Sequence, residues 1–190
     1  MPQVTSTVPA TAKTFQLPLI RTPRGAPLYA IITSPSFLGL DTHFWKGHTT
    51  PCEAPNCSAC EHGLVATWHG YLSLWNPKNN HAAIFEFTAA GGIQLEDYAR
   101  RIGTLRGAAL LAQRIGKRAN GRLDFQLSPA SPSHGPIPEP PNLLSVLAAI
   151  WRLPLDAFTI PCGQALDTAQ NAIDADILSL QRGTPSKESA

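Results

Sequence analysis

Apolar and polar positions alternate in short runs through the first two thirds of the chain, and Pro, Gly and Asn separate the runs. Leu28–Thr33 (LYAIIT) is brief, β-branched and bounded by Pro27 and Ser34-Pro35, which predicts a strand. Asp41–Lys46 (DTHFWK) is a second candidate. In Trp68–Trp75 (WHGYLSLW) a period of two puts Trp68, Gly70, Leu72 and Leu74 on one face and His69, Tyr71, Ser73 and Trp75 on the other. Neither face is purely polar. After the turn-forming residues 76–80, His81–Thr88 (HAAIFEFT) predicts another strand.

Ile93–Ile102 changes to helical spacing and stops at Gly103. The next stretch, 104–115, is open between a helix, which its Ala and Leu favour, and a strand. The Asn120-Gly121 pair and the alternating run Arg122–Leu127 (RLDFQL) tip it towards a β-hairpin of 104–115 with 121–127. Six prolines in residues 128–141 predict a semi-rigid linker. Beyond it, Asn142 can cap a helix running to about Leu153, and Asp167–Gln181 predicts a second one. Residues 1–16 lack periodicity and are expected to form a mobile arm before a domain at 17–127, with 142–190 as a helical extension ending in a disordered tail.

Composition narrows the class. The chain has 190 residues, only 15% of them charged, with 18 Pro and 4 Cys. No apolar run reaches the roughly 18–20 residues of a membrane span, and MPQVTSTVPATAK has no basic region followed by an apolar one, so a cytoplasmic, soluble protein without a membrane partner is expected.

Three of the cysteines, Cys52, Cys57 and Cys60, fall within nine residues, while Cys162 stands about a hundred residues away. Clustered thiols of this kind favour a metal over a disulfide framework. Cys57-Ser-Ala-Cys60 is a C-x2-C pair able to hold one tetrahedral Zn2+, and Cys52 adds a third thiolate. The fourth ligand is expected to be His43, at the end of a strand, with His48 as the alternate. Four protein ligands leave no open position, so the zinc would be structural. The H-x-E and P-C-x-x-C pattern of the zinc deaminases is absent. No Ser-His-Asp order, phosphate-cradling loop or convergent carboxylate set marks an enzyme either.

The net charge of +2 conceals a segregation. From Tyr98 to Arg122 there are seven cations, Arg100, Arg101, Arg106, Arg114, Lys117, Arg118 and Arg122, and no Asp or Glu. Arginine binds phosphate bidentately and stacks on bases. Beside these cations, Phe44, Trp45, Trp68, Tyr71 and Trp75 surround the cysteine cluster, and Trp45, Tyr71 and Trp75 are the candidates for exposed stacking platforms.

The motifs T-H-F-W at 42–45, P-C-x4-C-x2-C at 51–60, W-H-G-Y at 68–71, L-R-G at 105–107 and G-K-R-x-N-G-R at 116–122 resemble those of zinc-containing, OB-fold-like single-stranded-DNA-binding proteins of phages and mobile elements. The resemblance covers about residues 17–127. It implies a mainly β protein with a five-stranded oligonucleotide/oligosaccharide-binding barrel and an inserted zinc knuckle. It also implies a non-catalytic role in binding single-stranded nucleic acid, with Arg106, Arg114, Lys117, Arg118 and Arg122 lining the strand; Arg100, in the same basic stretch, is a further candidate contact. The alternative is a protein-interaction adaptor in a nucleoprotein complex, docking through residues 142–181, because NLLSVLAAIW is apolar and too short to stand alone in water.

Overall fold

The computed structural model describes residues 17–53, 55–115 and 122–158, and of Arg122 only the backbone. The strands are β1 (Leu19–Arg21), β2 (Leu28–Ile32), β3 (Leu38–Trp45), β4 (His48–Pro51), β5 (Thr67–Asn76), β6 (His81–Thr88), β7 (Ala108–Ile115) and β8 (Arg122–Pro129). The helices are a single turn α1 (Ser58–Glu61), α2 (Ala89–Ile102) and α3 (Leu143–Trp151). One compact unit ends at Leu153.

The protein is mainly β, but its sheet is open. The order is β1-β6-β5-β2-β7-β8, with β1 parallel to β6 and the other neighbours antiparallel. β5 is the spine. One of its edges pairs with β6 from His69 to Asn76; the other is shared, with β3 against residues 67–71 and β2 against Leu74 and Trp75. The sheet therefore forks into a β2-β7-β8 leaf and a β3-β4 arm. The expected five-stranded barrel does not close: at the far leaf Gln94 of α2 accepts the outward amide of Phe125 through its Oε1, 3.0 Å away, taking a place a closing strand would need.

β5 and β6 are buried on both faces, which is why neither face of WHGYLSLW reads as polar. Leu72, Leu74, Phe85 and Phe87 pack with Leu95 and Tyr98 of α2 in the main core. On the other face, Tyr71 and Ile84 pack with Leu147 of α3, and Trp151 meets Tyr71 edge-on at 5.4 Å. Asn142 caps α3 as expected, accepting from the Ser145 amide at 3.0 Å. Its apolar face thus packs inside the domain through Leu147, with Leu143, Val146 and Trp151 beside it; the helix expected at 167–181 lies outside the described residues.

The hairpin of β7 with β8 forms as the alternation predicts, in register from Ala108↔Pro129 to Ile115↔Arg122. Its turn, 116–121, lies outside the described residues. The Pro-rich segment departs from the linker expectation. β8 runs to Pro129, Tyr29 Oη meets His134 Nε2 at 3.1 Å, and Arg106 donates to the carbonyls of Ile137 and Pro138, so residues 128–141 lie along the body as a strap.

α2 begins four residues before the Ile93 predicted from spacing, through Gly91 and Gly92. Tertiary contact overrides the weak helix propensity of glycine here. A Cβ at Gly91 would lie 2.5 Å from the Phe125 ring, and one at Gly92 3.1 Å from Trp68. Gly91→Ala is accordingly expected to destabilise the fold by about 1–3 kcal/mol through overpacking, although alanine is the better helix former. A shift of the urea midpoint to lower concentration checks this; an unchanged or raised midpoint would contradict it.

Candidate metal centre

The β3-β4 arm turns tightly through Lys46 and Gly47, both at positive φ (49° and 89°). This registers His43 opposite Thr50, and the Cys52 amide donates to the Asp41 carbonyl at 2.8 Å, carrying the ladder one step past β4. His43 and Cys52 are thereby neighbours on one arm. Cys57 stands at the N-cap of α1 and Cys60 in its single turn, which closes by Glu61 N–H donating to Cys57 O and Leu64 N–H to Ala59 O.

The donor atoms of His43, Cys52, Cys57 and Cys60 all lie within 4.8 Å of one another, close enough to hold a metal ion. Cys52 Sγ is 3.6 Å from Cys60 Sγ, and Cys60 Sγ is 3.4 Å from His43 Nε2. A tetrahedral ion with metal–sulfur bonds of about 2.3 Å and metal–nitrogen bonds of about 2.0–2.1 Å requires separations of roughly 3.8 and 3.6 Å. His43 is only 1% exposed, and its Nδ1 has no hydrogen-bond partner among the described residues. His48, the alternate ligand, is exposed and turns its Nδ1 to the Lys46 carbonyl. His62 bonds back to Ser58 O and packs its ring 4.9 Å from Trp45.

The thiols are electrostatically unequal. Backbone N–H groups, that of Cys60 foremost and that of Glu53 next, lower Cys57 to about 6 from the usual 9. The hydrogen bond that the Cys60 S–H donates to Cys52, with burial second, raises Cys60 to about 11. Three thiols this close resist joint ionisation unless a cation joins them, and a divalent ion supplies that charge.

The proposed strand-contacting residues fare differently. Tyr71 is fully buried and Trp75 is 8% exposed with its indole N–H donating to Asn80, so neither is a surface platform. Both sit on the second face of β5, where Leu147 and Trp151 of α3 pack on Tyr71. Trp45 is half-buried, with Lys46 Nζ 5.2 Å from its ring. Arg106 is not a free cation: it donates to Thr33 O at 2.8 Å and Pro138 O at 2.9 Å and pairs with Glu139, so it clamps the strap. Arg114 donates to Thr22 O at 3.0 Å and holds the β1-β2 connection. Arg100 is exposed and pairs with Asp97 at 3.5 Å. Lys117, Arg118 and the side chain of Arg122 lie outside the described residues.

Two surface features escaped the sequence reading. Phe44 is 70% exposed, the opposite of its neighbour His43. Alternation alone carried that signal, since an inward ligand at 43 turns 44 to the other face. Arg21 reaches Glu86, which is 3% exposed, by Nε at 2.9 Å and Nη2 at 2.6 Å, a pairing no local pattern announces. Comparison with protein-family models, with characterised proteins and with solved structures finds no match to this chain.

Purified protein is expected to carry a single bound ion that Cys57→Ala or His43→Ala removes and His48→Ala retains, as measured by elemental analysis; loss with His48→Ala instead would overturn the ligand set. In metal-free protein, thiolate absorbance should rise in separate steps as pH increases, the first near pH 6. Cys57 ionises first because its folded pKa is depressed, so Cys57→Ala should abolish that step, and its persistence in the variant would refute the assignment.

Proposed function

We propose that the protein is a non-catalytic, single-stranded nucleic-acid-binding protein, with DNA as the preferred strand, in which a structural Zn2+ braces the β3-β4 arm. The observation that carries the reading is the four-donor cluster at the root of an arm that displays an exposed aromatic ring. Cysteine-rich donor sets of this spacing suit zinc, and a four-ligand site leaves no open position for metal chemistry. The resemblance to zinc-containing, OB-fold-like single-stranded-DNA-binding proteins of phages and mobile elements supports the same reading, although the barrel itself is replaced by a forked sheet. A component of a replication, recombination or mobile-element complex, working in the cytoplasm, fits such a protein.

The physical division of labour is direct. Bases offer a π-face to an exposed ring whatever their sequence, and cations neutralise phosphates. Arg100, Arg101, Lys46 and Arg152 are exposed, and Lys117, Arg118 and Arg122 add further charge to the sequence between 116 and 122. With Arg106 and Arg114 committed to internal carbonyls, fewer phosphates are neutralised than the full set of seven cations implies.

Three to five phosphate contacts predict a log–log salt slope of about −2 to −4 for a single strand. Fluorescence anisotropy with labelled oligothymidylate across a salt series measures it. Binding that is absent at low salt, or flat against salt, would reject the proposal.

A further inference from the structure

The metal cluster occupies one face of the β3-β4 arm; the other face forms the wall of an open groove of about 790 Å³. Across it stand β1 and the C-terminal end of α3, and Arg21, Phe44, Thr49, Trp151 and Arg152 are among the residues that line it. Thr49 is the hub. Its hydroxyl accepts from Arg21 Nη2, its carbonyl accepts from Trp151 Nε1 at 3.0 Å, and it is the cross-strand partner of Phe44. Directly opposed strand residues stand about 5 Å apart on the same face, so the Phe44 ring and the Arg21 guanidinium flank the same threonine.

Three features mark the open side of this groove. A phenylalanine exposed to 70% gains little from burial. The Arg21 guanidinium is held by a carboxylate that is itself buried, yet half of its side chain remains open to solvent. Arg152 takes the left-handed conformation (φ 58°) at the C-cap of α3, a position where glycine is free of strain, and has no ion-pair partner among the described residues. Glu86, the anion of the lining, is neutralised by Arg21, so the open side of the groove is cationic with an aromatic floor.

We propose that this groove holds one unpaired nucleotide of a bound single DNA strand, its base stacked on Phe44 and its phosphate drawn to Arg152 and the open side of Arg21. The chemistry matches on both counts: an aromatic face for a base, and guanidinium groups for a phosphodiester. This inference rests on the nucleic-acid reading above and gives it a place, moved from the hairpin arginines to the face of the arm opposite the metal.

The test uses the zinc-loaded full chain, labelled oligothymidylate and free thymidine monophosphate. Phe44→Ala is expected to weaken oligonucleotide binding about tenfold. Arg152→Gly is the sharper variant: relief of backbone strain should leave the melting temperature unchanged or raised, while affinity falls severalfold and the salt slope becomes shallower. Wild-type binding with both variants unimpaired would overturn the groove while leaving the wider reading intact. No binding by the wild-type chain would instead sink that wider reading. If free thymidine monophosphate binds as tightly as the oligonucleotide, the groove is a nucleotide pocket and the strand proposal fails.

Discussion

β5 shares one edge between two strands, and most of the architecture follows from that fork. A ten-residue strand is longer than either β2 or β3 can cover, and the chain between them bends at Ser34-Pro35-Ser36. The break is stitched by buried polar contacts: Thr33 Oγ1 and Ser73 Oγ lie 2.6 Å apart, and the Ser73 amide donates to Ser34 Oγ. Buried hydroxyls are costly when unpaired, so this mutual satisfaction fixes where the sheet divides. One leaf continues through β7 and β8 and meets α2; the other is a two-stranded arm extending from the edge.

A two-stranded ribbon is marginal by itself in water. This arm is anchored on both sides. On one face His43 and Cys52 converge with Cys57 and Cys60, so that a metal would fasten the arm to the knuckle that follows it. On the other, Trp151 and Arg21 hold Thr49. Metal binding in such a site is also folding free energy, because the donors are brought together only in the folded chain. The same two anchors set up the surface: the ligand at 43 turns Phe44 outward, and the Thr49 bridge brings a cation beside it.

A buried polar run connects these regions. Thr42 Oγ1 lies 2.6 Å from His69 Nδ1, His69 Nε2 is 3.7 Å from Glu86 Oε1, and Glu86 pairs with Arg21. Tyr71 faces Glu86 across the β5-β6 ladder, and burial, reinforced by that carboxylate, pushes its phenol well above the ordinary value. Tyr71 therefore stays neutral and serves the packing against Trp151. An aromatic side chain whose sequence context suggests a surface platform has become the floor of the second core.

Local signals carried much of the protein. Period-two alternation located β5 and β6 closely, the Asn142 cap and apolar stripe located α3, and the C-x2-C spacing with Cys52 located the metal donors, because each depends on residues adjacent in the chain or on one regular element. Exposure depends instead on what covers a face. Tyr71 reads as exposed until α3, seventy residues away, packs on it, and Trp75 is buried with its indole N–H on Asn80; Arg106 and Arg114 read as surface cations until carbonyls at Thr33, Pro138 and Thr22 claim them. The choice of His43 over His48 needed the register of the arm. By itself the sequence determined the longer strands, the α3 cap and ligand chemistry, since backbone geometry and side-chain donors are local properties, whereas the short β1 and β4 exist only through their pairing with β6 and β3. Tertiary structure decided whether the sheet closed, which rings were buried and which cations were spent, because those are settled by contacts between segments far apart in the chain.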